Sequence, residues 1–250
     1  MPMNANRLGS YPMNEVLTGD SRQLARSIPD QSVDLIFTDP IYQNQDDYLW
    51  LAEISKRILK PKGSLLCWSN GKWHRANANW LESAGMVYRW DFACVHNSGL
   101  SPMNGKIIAK TNRLIWLDVS GKSKLVSYIA DGFLSTPWLS NSQIEKRKEH
   151  RWTKSPKFTK IAIEAFSLPN AIVYDPFAGG GTNLAICKMY ERNFIASEID
   201  PKTATIARSR LSRTNPPLGL AASNTASSRL FEGWGKLPAV SNSIDVESPE

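Results

Sequence analysis

Two short runs hold the residue types that could do chemistry. The first is Thr38-Asp39-Pro40-Ile41-Tyr42, and the second, Asp175-Pro176-Phe177-Ala178-Gly179-Gly180-Gly181-Thr182, begins 137 positions downstream. Each follows an apolar, strand-like stretch, and each sets an acidic residue where that stretch ends. Asp39, Pro40 and Tyr42 suit a planar base that carries an amino group. Such an amine is a poor nucleophile, because its lone pair is delocalised into the ring. Hydrogen bonds to the Asp39 carboxylate and the Pro40 carbonyl favour a more pyramidal nitrogen. Its lone pair can then attack an electrophilic methyl group. Tyr42 can stack on a base extruded from a duplex.

The second run lies between a strand and a helix. Glycines there permit positive φ and close backbone approach to a ligand. The helix N-terminus adds unpaired N–H groups. The run is not the spaced dinucleotide fingerprint, yet it suits a nucleotide-like cofactor. Glu198 ends the next strand, where a carboxylate can accept hydrogen bonds from ribose hydroxyls. Asp200 reads as the N-cap of a helix that opens at Pro201. Asp20, Asp39, Asp175 and Glu198 all stand at or just past strand ends. In an open parallel sheet the ligand crevice lies there, so four segments deliver carboxylates to one edge.

The elements that must position these residues follow from apolar periodicity. Strands are expected at 16–18, 33–38, 64–68, 86–96, 113–119, 171–174 and 193–197. Helices are expected at 21–27, 46–59, 73–84, 157–167, 181–190 and 201–213. Pro61-Lys62-Gly63 is expected to stop the helix before it. Strands alternating with helices imply a doubly wound, mostly parallel sheet in an α/β fold. From 120 to 149 the pattern is weak, which reads as an irregular insert. After Asn215 the composition turns to Pro, Ser, Asn and Gly, and 215–250 is expected to be a disordered tail.

The 250 residues suffice for one large domain. Hydrophobic residues at 42% and charged residues at 21% fit a soluble globular protein rather than a disordered one. The formal charge of +7 favours a polyanionic partner. Between Glu145 and Lys160 there are seven Lys or Arg against two Glu, with Trp152 and Phe158 among them. Basic residues interleaved with aromatics point to nucleic acid. Three widely spaced cysteines argue against a disulfide framework and a zinc site, and fit a reducing cytoplasm. The three histidines form no metal-ligand spacing, so no metal is expected. No signal peptide and no membrane span is read from the sequence.

With both motifs in this order, the sequence resembles the beta class of S-adenosylmethionine-dependent DNA amino-methyltransferases. In that class the catalytic tetrapeptide comes first, a recognition insert follows, and the cofactor motif comes last. The resemblance implies a Rossmann-like class I methyltransferase fold with circularly permuted motifs. It also implies a seven-stranded, mostly parallel sheet whose last strand is antiparallel. The catalytic domain would run over 14–214, with 120–154 as the DNA-recognition insert. Asp39, Pro40 and Tyr42 match the tetrapeptide, with Ile41 in place of its second proline. Asp175, Phe177, Gly179, Gly181 and Thr182 match the cofactor motif, and Glu198 matches the ribose-binding acid. Asp20 is implied near the cofactor adenine. Lys154, with Pro156, matches part of a further segment near the cofactor. The basic run, Lys146, Arg147, Lys148 and Arg151, would lie on DNA phosphates.

The activity implied is methyl transfer from S-adenosylmethionine to the N6 of adenine in double-stranded DNA. Aspartate in the tetrapeptide is commoner for adenine, and serine for N4 of cytosine. A short insert fits a short target, weak specificity or recognition by a homodimer. A cognate restriction endonuclease is the partner such an enzyme can take. RNA remains an alternative substrate, and the basic insert speaks against a protein amide. A DNA-binding protein with a decayed site is the non-enzymatic alternative. Intact Asp39, Tyr42, Gly179, Gly181 and Glu198 argue against it.

Overall fold

The computed structural model describes residues 7–96, 102–103, 107–108, 110–135 and 155–215. The expected tail beyond Asn215, Lys154 and the basic residues 146–151 lie outside them. Eight strands form one sheet: β1 (Val16–Thr18), β2 (Val33–Thr38), β3 (Leu59–Asn70), β4 (Val87–His96), β5 (Thr111–Asp118), β6 (Gly132–Ser135), β7 (Ile172–Asp175) and β8 (Asn193–Glu198). Their order across the sheet is β6-β4-β5-β3-β2-β7-β8-β1. β5 runs antiparallel to both of its neighbours, and all other pairings are parallel.

β2 shows why the sheet needs two covers. Val33, Leu35, Ile36 and Phe37 are all fully buried, so neither face of the strand meets water. Leu35 and Phe37 face a core built with Phe158, Ala162, Ile163, Leu184 and Ala207. Val33 and Ile36 face a second core with Tyr48, Leu51, Ile54, Ile58 and Leu81. The first cover is α4 (Pro156–Phe166), α5 (Thr182–Met189) and α6 (Pro201–Arg213). The second is α1 (Ser21–Leu24), α2 (Gln45–Ile58) and α3 (His74–Ser83).

Helix α2 illustrates how local sequence meets this demand. Five of its seven buried residues, Tyr48, Leu51, Ala52, Ser55 and Ile58, recur at three and four residues and line one face. Asp46 and Asp47 occupy the first turn, and Lys56 and Arg57 the last, which complements the helix dipole.

Two expectations change. The strand expected at 64–68 begins at Leu59, directly after α2. Pro61-Lys62-Gly63 is not a turn that closes the helix. It lies within β3, where the register with β2 slips between Val33↔Leu59 and Leu35↔Ser64. The extra residues bulge out of the ladder, which accommodates a proline that cannot donate to it. Among the described residues the sheet also has eight strands, one beyond the seven expected. Gly132–Ser135, inside the expected irregular insert, pairs in parallel with β4 and extends the edge.

Neighbouring strands β2 and β7 carry the two motifs. α2 follows β2 on one face, and α5 follows β7 on the other. This reversal is the topological switch point, and it opens a crevice at the strand ends.

Candidate active site

Thr38 ends β2 and is fully buried. Its hydroxyl donates to Asp175 Oδ1 at 2.8 Å. Asn183, in the first turn of α5, donates to Asp175 Oδ2 at 3.0 Å and to the Phe37 carbonyl at 3.1 Å. The Phe177 backbone N–H closes on Asp175 Oδ1 at 3.2 Å. The strand carrying the first motif is thus fastened to the loop of the second. Burial pushes the Asp175 carboxyl up to about 7, against the pull of the Thr38, Asn183 and Phe177 donors.

The Asp39–Tyr42 loop leaves β2 directly. Pro40 is buried, Asp39 and Tyr42 are half-buried, and Ile41 is 62% exposed. The Asn44 N–H donates to the Ile41 carbonyl at 3.0 Å, and the Asn44 side chain donates to Asp47 at 2.8 Å. These bonds close the turn, although Ile41 stands where the family has a second proline. Burial, and then the hydrogen-bonded Asp39 carboxylate beside it, raise the Tyr42 hydroxyl far above its usual range. It is therefore a neutral phenol at any physiological pH.

The Glu198 carboxylate accepts from Gly179 N–H and from Asp200 N–H, both at 2.9 Å. Gly179 holds φ at +51°, and a Cβ built on it would meet open space. Gly181 holds φ at +75°, but its Cβ would lie 3.0 Å from Ala207 Cβ. Gly179 therefore leaves room in front of the loop, whereas Gly181 lets α5 approach α6. Asp200 caps α6 as expected, accepting from Thr203 N–H at 3.0 Å.

One cavity of about 580 Å³ collects most of these groups. It is lined by Asp39, Pro40, Ile41 and Tyr42 from the first motif, by Asp175, Phe177, Ala178, Gly179, Gly180 and Thr182 from the second, and by Asn183 and Glu198. Gly181 and Asp20 are not among the lining residues. Gly181 is turned to α6, and Asp20 caps α1 by accepting from Arg22 N–H at 2.9 Å. Sequence reasoning missed Trp68, Asn70, Trp73, Ile199 and Thr203, which also line the cavity. Asn70 and Ile199 stand at or just past the ends of β3 and β8, a signal already used for the four acids. Trp73 lies in the turn after β3 and carries no such signal.

Among the described residues, no group of three or more His, Cys, Asp or Glu side chains could hold a metal ion. No helix among them is long and apolar enough to cross a membrane.

Known proteins are similar to this chain in sequence and fold. A family model described as DNA methylase, of the N6/N4 type, matches residues 109–209. The type II methyltransferase M.HinfI of Haemophilus influenzae is 26% identical over 265 aligned positions, spanning 82% of this chain and 70% of that protein. M.BglII of Bacillus subtilis is 27% identical, spanning 81% and 71%. A crystal structure of an M1.HpyAVI–SAM complex is similar at a TM-score of 0.65 and 28% identity, covering 79% of this chain and 98% of that one. The cytosine-N4-specific PvuII DNA methyltransferase shares the fold at a TM-score of 0.68 and 19% identity, covering 90% and 95%. With both motifs on one crevice of a class I methyltransferase sheet, the chain is similar to the S-adenosylmethionine-dependent DNA amino-methyltransferases.

Proposed function

We propose that the protein methylates the exocyclic N6 of adenine in double-stranded DNA. The observation that carries this is the single cavity lined by both motifs. A methyl donor held against one wall faces an amine held against the other.

The residues present fit S-adenosylmethionine. Gly179 keeps open space in front of its backbone, Phe177 and Ile199 offer apolar surface, and Glu198 ends its strand beside them. Glu198 would exchange its bond from Gly179 for ribose hydroxyls, and Phe177, Gly179 and Thr182 would flank the ligand. When bound, the cofactor supplies an electrophilic methyl group. Asp175 serves from beneath, holding the cofactor loop to β2. Lys154 is assigned to the same ligand through its motif, and Lys146, Arg147, Lys148 and Arg151 to DNA phosphates.

On the acceptor side, Asp39 and the Pro40 carbonyl accept hydrogen bonds from the target amine and free its lone pair for attack. Tyr42 stacks on the extruded base. The reaction is a direct displacement with no enzyme-bound intermediate. Cys67, Cys94 and Cys187 are buried and do not line the cavity, so no thiolate is placed to attack a ring carbon. Aspartate rather than serine at the head of the tetrapeptide supports adenine over cytosine.

Tritiated-methyl S-adenosylmethionine and unmethylated duplex DNA test this, with nucleoside analysis of the product. Label in N6-methyladenine is the expected result. Label in N4-methylcytosine would keep the chemistry and replace the base. Label in RNA alone, or no transfer despite cofactor binding, would overturn the DNA substrate.

A further inference from the structure

Asn77, in α3, is completely buried although its side chain is polar. Four polar groups surround its amide. With every donor facing an acceptor, Nδ2 donates to the Tyr42 carbonyl at 2.9 Å and the Trp73 carbonyl at 3.0 Å. Oδ1 accepts from the Ser69 hydroxyl at 2.9 Å and the Tyr48 hydroxyl at 2.6 Å. An asparagine amide has two donors and two acceptor positions, so the group is saturated. One buried side chain thus joins the catalytic loop, the end of β3, the turn after it and helix α2.

Tyr42 and Trp73 both line the cavity, as do Asn70 and Trp68. The Trp73 turn is itself braced. Asn70 Oδ1 accepts from Lys72 N–H at 3.1 Å and from Trp73 N–H at 3.0 Å. The indole packs on Trp80 with centroids 6.2 Å apart and takes the Lys72 ammonium at 5.3 Å. An extruded planar base is held best between two aromatic surfaces, since each of its faces can then stack. Tyr42 supplies one such surface.

We propose that Trp73 is the second aromatic wall of the target-base site, and that Asn77 is the positioning residue that sets its separation from Tyr42. This rests on base methylation as the function. Asn77 touches neither substrate nor cofactor. It acts by fixing two backbone carbonyls, those of the residues that bear the two rings. Losing its donors lets the walls drift apart while the cofactor side stays fastened through Thr38 and Asp175.

The test compares Asn77→Asp, Trp73→Phe and Trp73→Ala with the wild type. Methyl transfer to duplex DNA from tritiated S-adenosylmethionine is counted per cofactor-binding site, and cofactor affinity is titrated separately. All three variants are expected to keep wild-type cofactor affinity. Asn77→Asp keeps the acceptor but loses the two donors, and its kcat falls roughly tenfold to a hundredfold, the scale of a misplaced reacting group. Lowering the pH protonates the new carboxyl and restores one O–H donor. The deficit relative to wild type therefore shrinks in acid, which a general loss of packing would not produce. Trp73→Phe keeps most activity, and Trp73→Ala loses it.

Equal turnover by Trp73→Ala and wild type would remove the second wall. An Asn77→Asp deficit that does not change with pH would remove the positioning role. Should Asn77→Asp fail to bind cofactor, its role falls to plain structure, and the two Trp73 variants still decide the wall. If the wild type itself transfers no methyl to DNA, base methylation fails first and takes this inference with it.

Discussion

Thr38 donates its hydroxyl to Asp175 at 2.8 Å, across 137 positions of sequence. The bond ties the residue before Asp39 to the first residue of the glycine-rich motif. Thr38→Val keeps the volume and removes the donor, leaving a buried carboxyl oxygen short of a partner. Stability should fall by about 1–3 kcal/mol. Methyl transfer should fall further than folding alone explains, because the two halves of the cavity lose their fastening. Denaturant melts and single-turnover rates on the same sample check this, and a rate that merely follows the folded fraction would deny the link.

Asp39→Ala should reduce methyl transfer by about a hundredfold or more, the scale of one lost electrostatic contact to the reacting group. Cofactor affinity should not change, since the role proposed for Asp39 is to hold the acceptor amine. Turnover near the wild-type level would end its assigned role.

Gly179 and Gly181 should behave differently, although both have positive φ. Gly181→Ala places a Cβ 3.0 Å from Ala207 and forces α5 from α6. Its main effect should be a loss of about 1–3 kcal/mol of stability. Gly179→Ala adds a methyl to open space at the cavity. Its backbone strain should amount to about 1–2 kcal/mol, and its distinctive effect should be weaker S-adenosylmethionine binding. Calorimetry of melting and of cofactor binding separates the two. The same pattern in both variants would refute the assignment.

Asp175 gives stability a pH slope. Its carboxyl is raised from the ordinary aspartate value of 3.8 to about 7 in the fold, chiefly by burial. The folded state therefore holds this proton between about pH 4 and 7, and the unfolded state does not. The resulting stability is complete below the unfolded pKa and is lost as pH rises through about 7. Asp175→Asn cannot titrate and should lack that slope. Urea melts at several pH values check it, and parallel curves for the two proteins would contradict it.

Replacing Lys146, Arg147 and Lys148 with alanine should weaken duplex binding and flatten its dependence on salt. Each lost phosphate contact lowers the slope of log affinity against log salt by roughly one. An unchanged slope would take the run out of the interface.

Much of the fold is legible in sequence because its signals are local. Apolar runs such as Val33–Thr38 announce a strand that must be covered on both faces. Asp200 and Pro201 mark a helix start by their own chemistry. The two motifs and their order carry the family resemblance, and they are local signals because backbone approach, acidity and stacking need particular residue types. What sequence misplaced depends on neighbours far along the chain. Pro61-Lys62-Gly63 looks like a stop signal, and only the pairing of β2 with β3 turns it into a bulge. Gly132–Ser135 has no strand pattern, and it becomes one beside the open edge of β4.

The same division holds within the site. Sequence by itself placed Asp20, Asp39, Asp175 and Glu198 at one edge of the sheet, since each sits where a strand gives way to a loop, and all but Asp20 line the cavity. Tertiary structure decided how they and their neighbours serve. Gly181 is spent on the approach of two helices, because Ala207 lies where its side chain would be. Asp175 is a clamp, because Thr38, Asn183 and Phe177 occupy its oxygens. Asn77 has no motif at all, and its importance arises because four segments converge on a buried amide that must be satisfied. Residue type and spacing prescribe what a side chain can do, whereas burial and hydrogen bonding between distant segments decide which of those things it does.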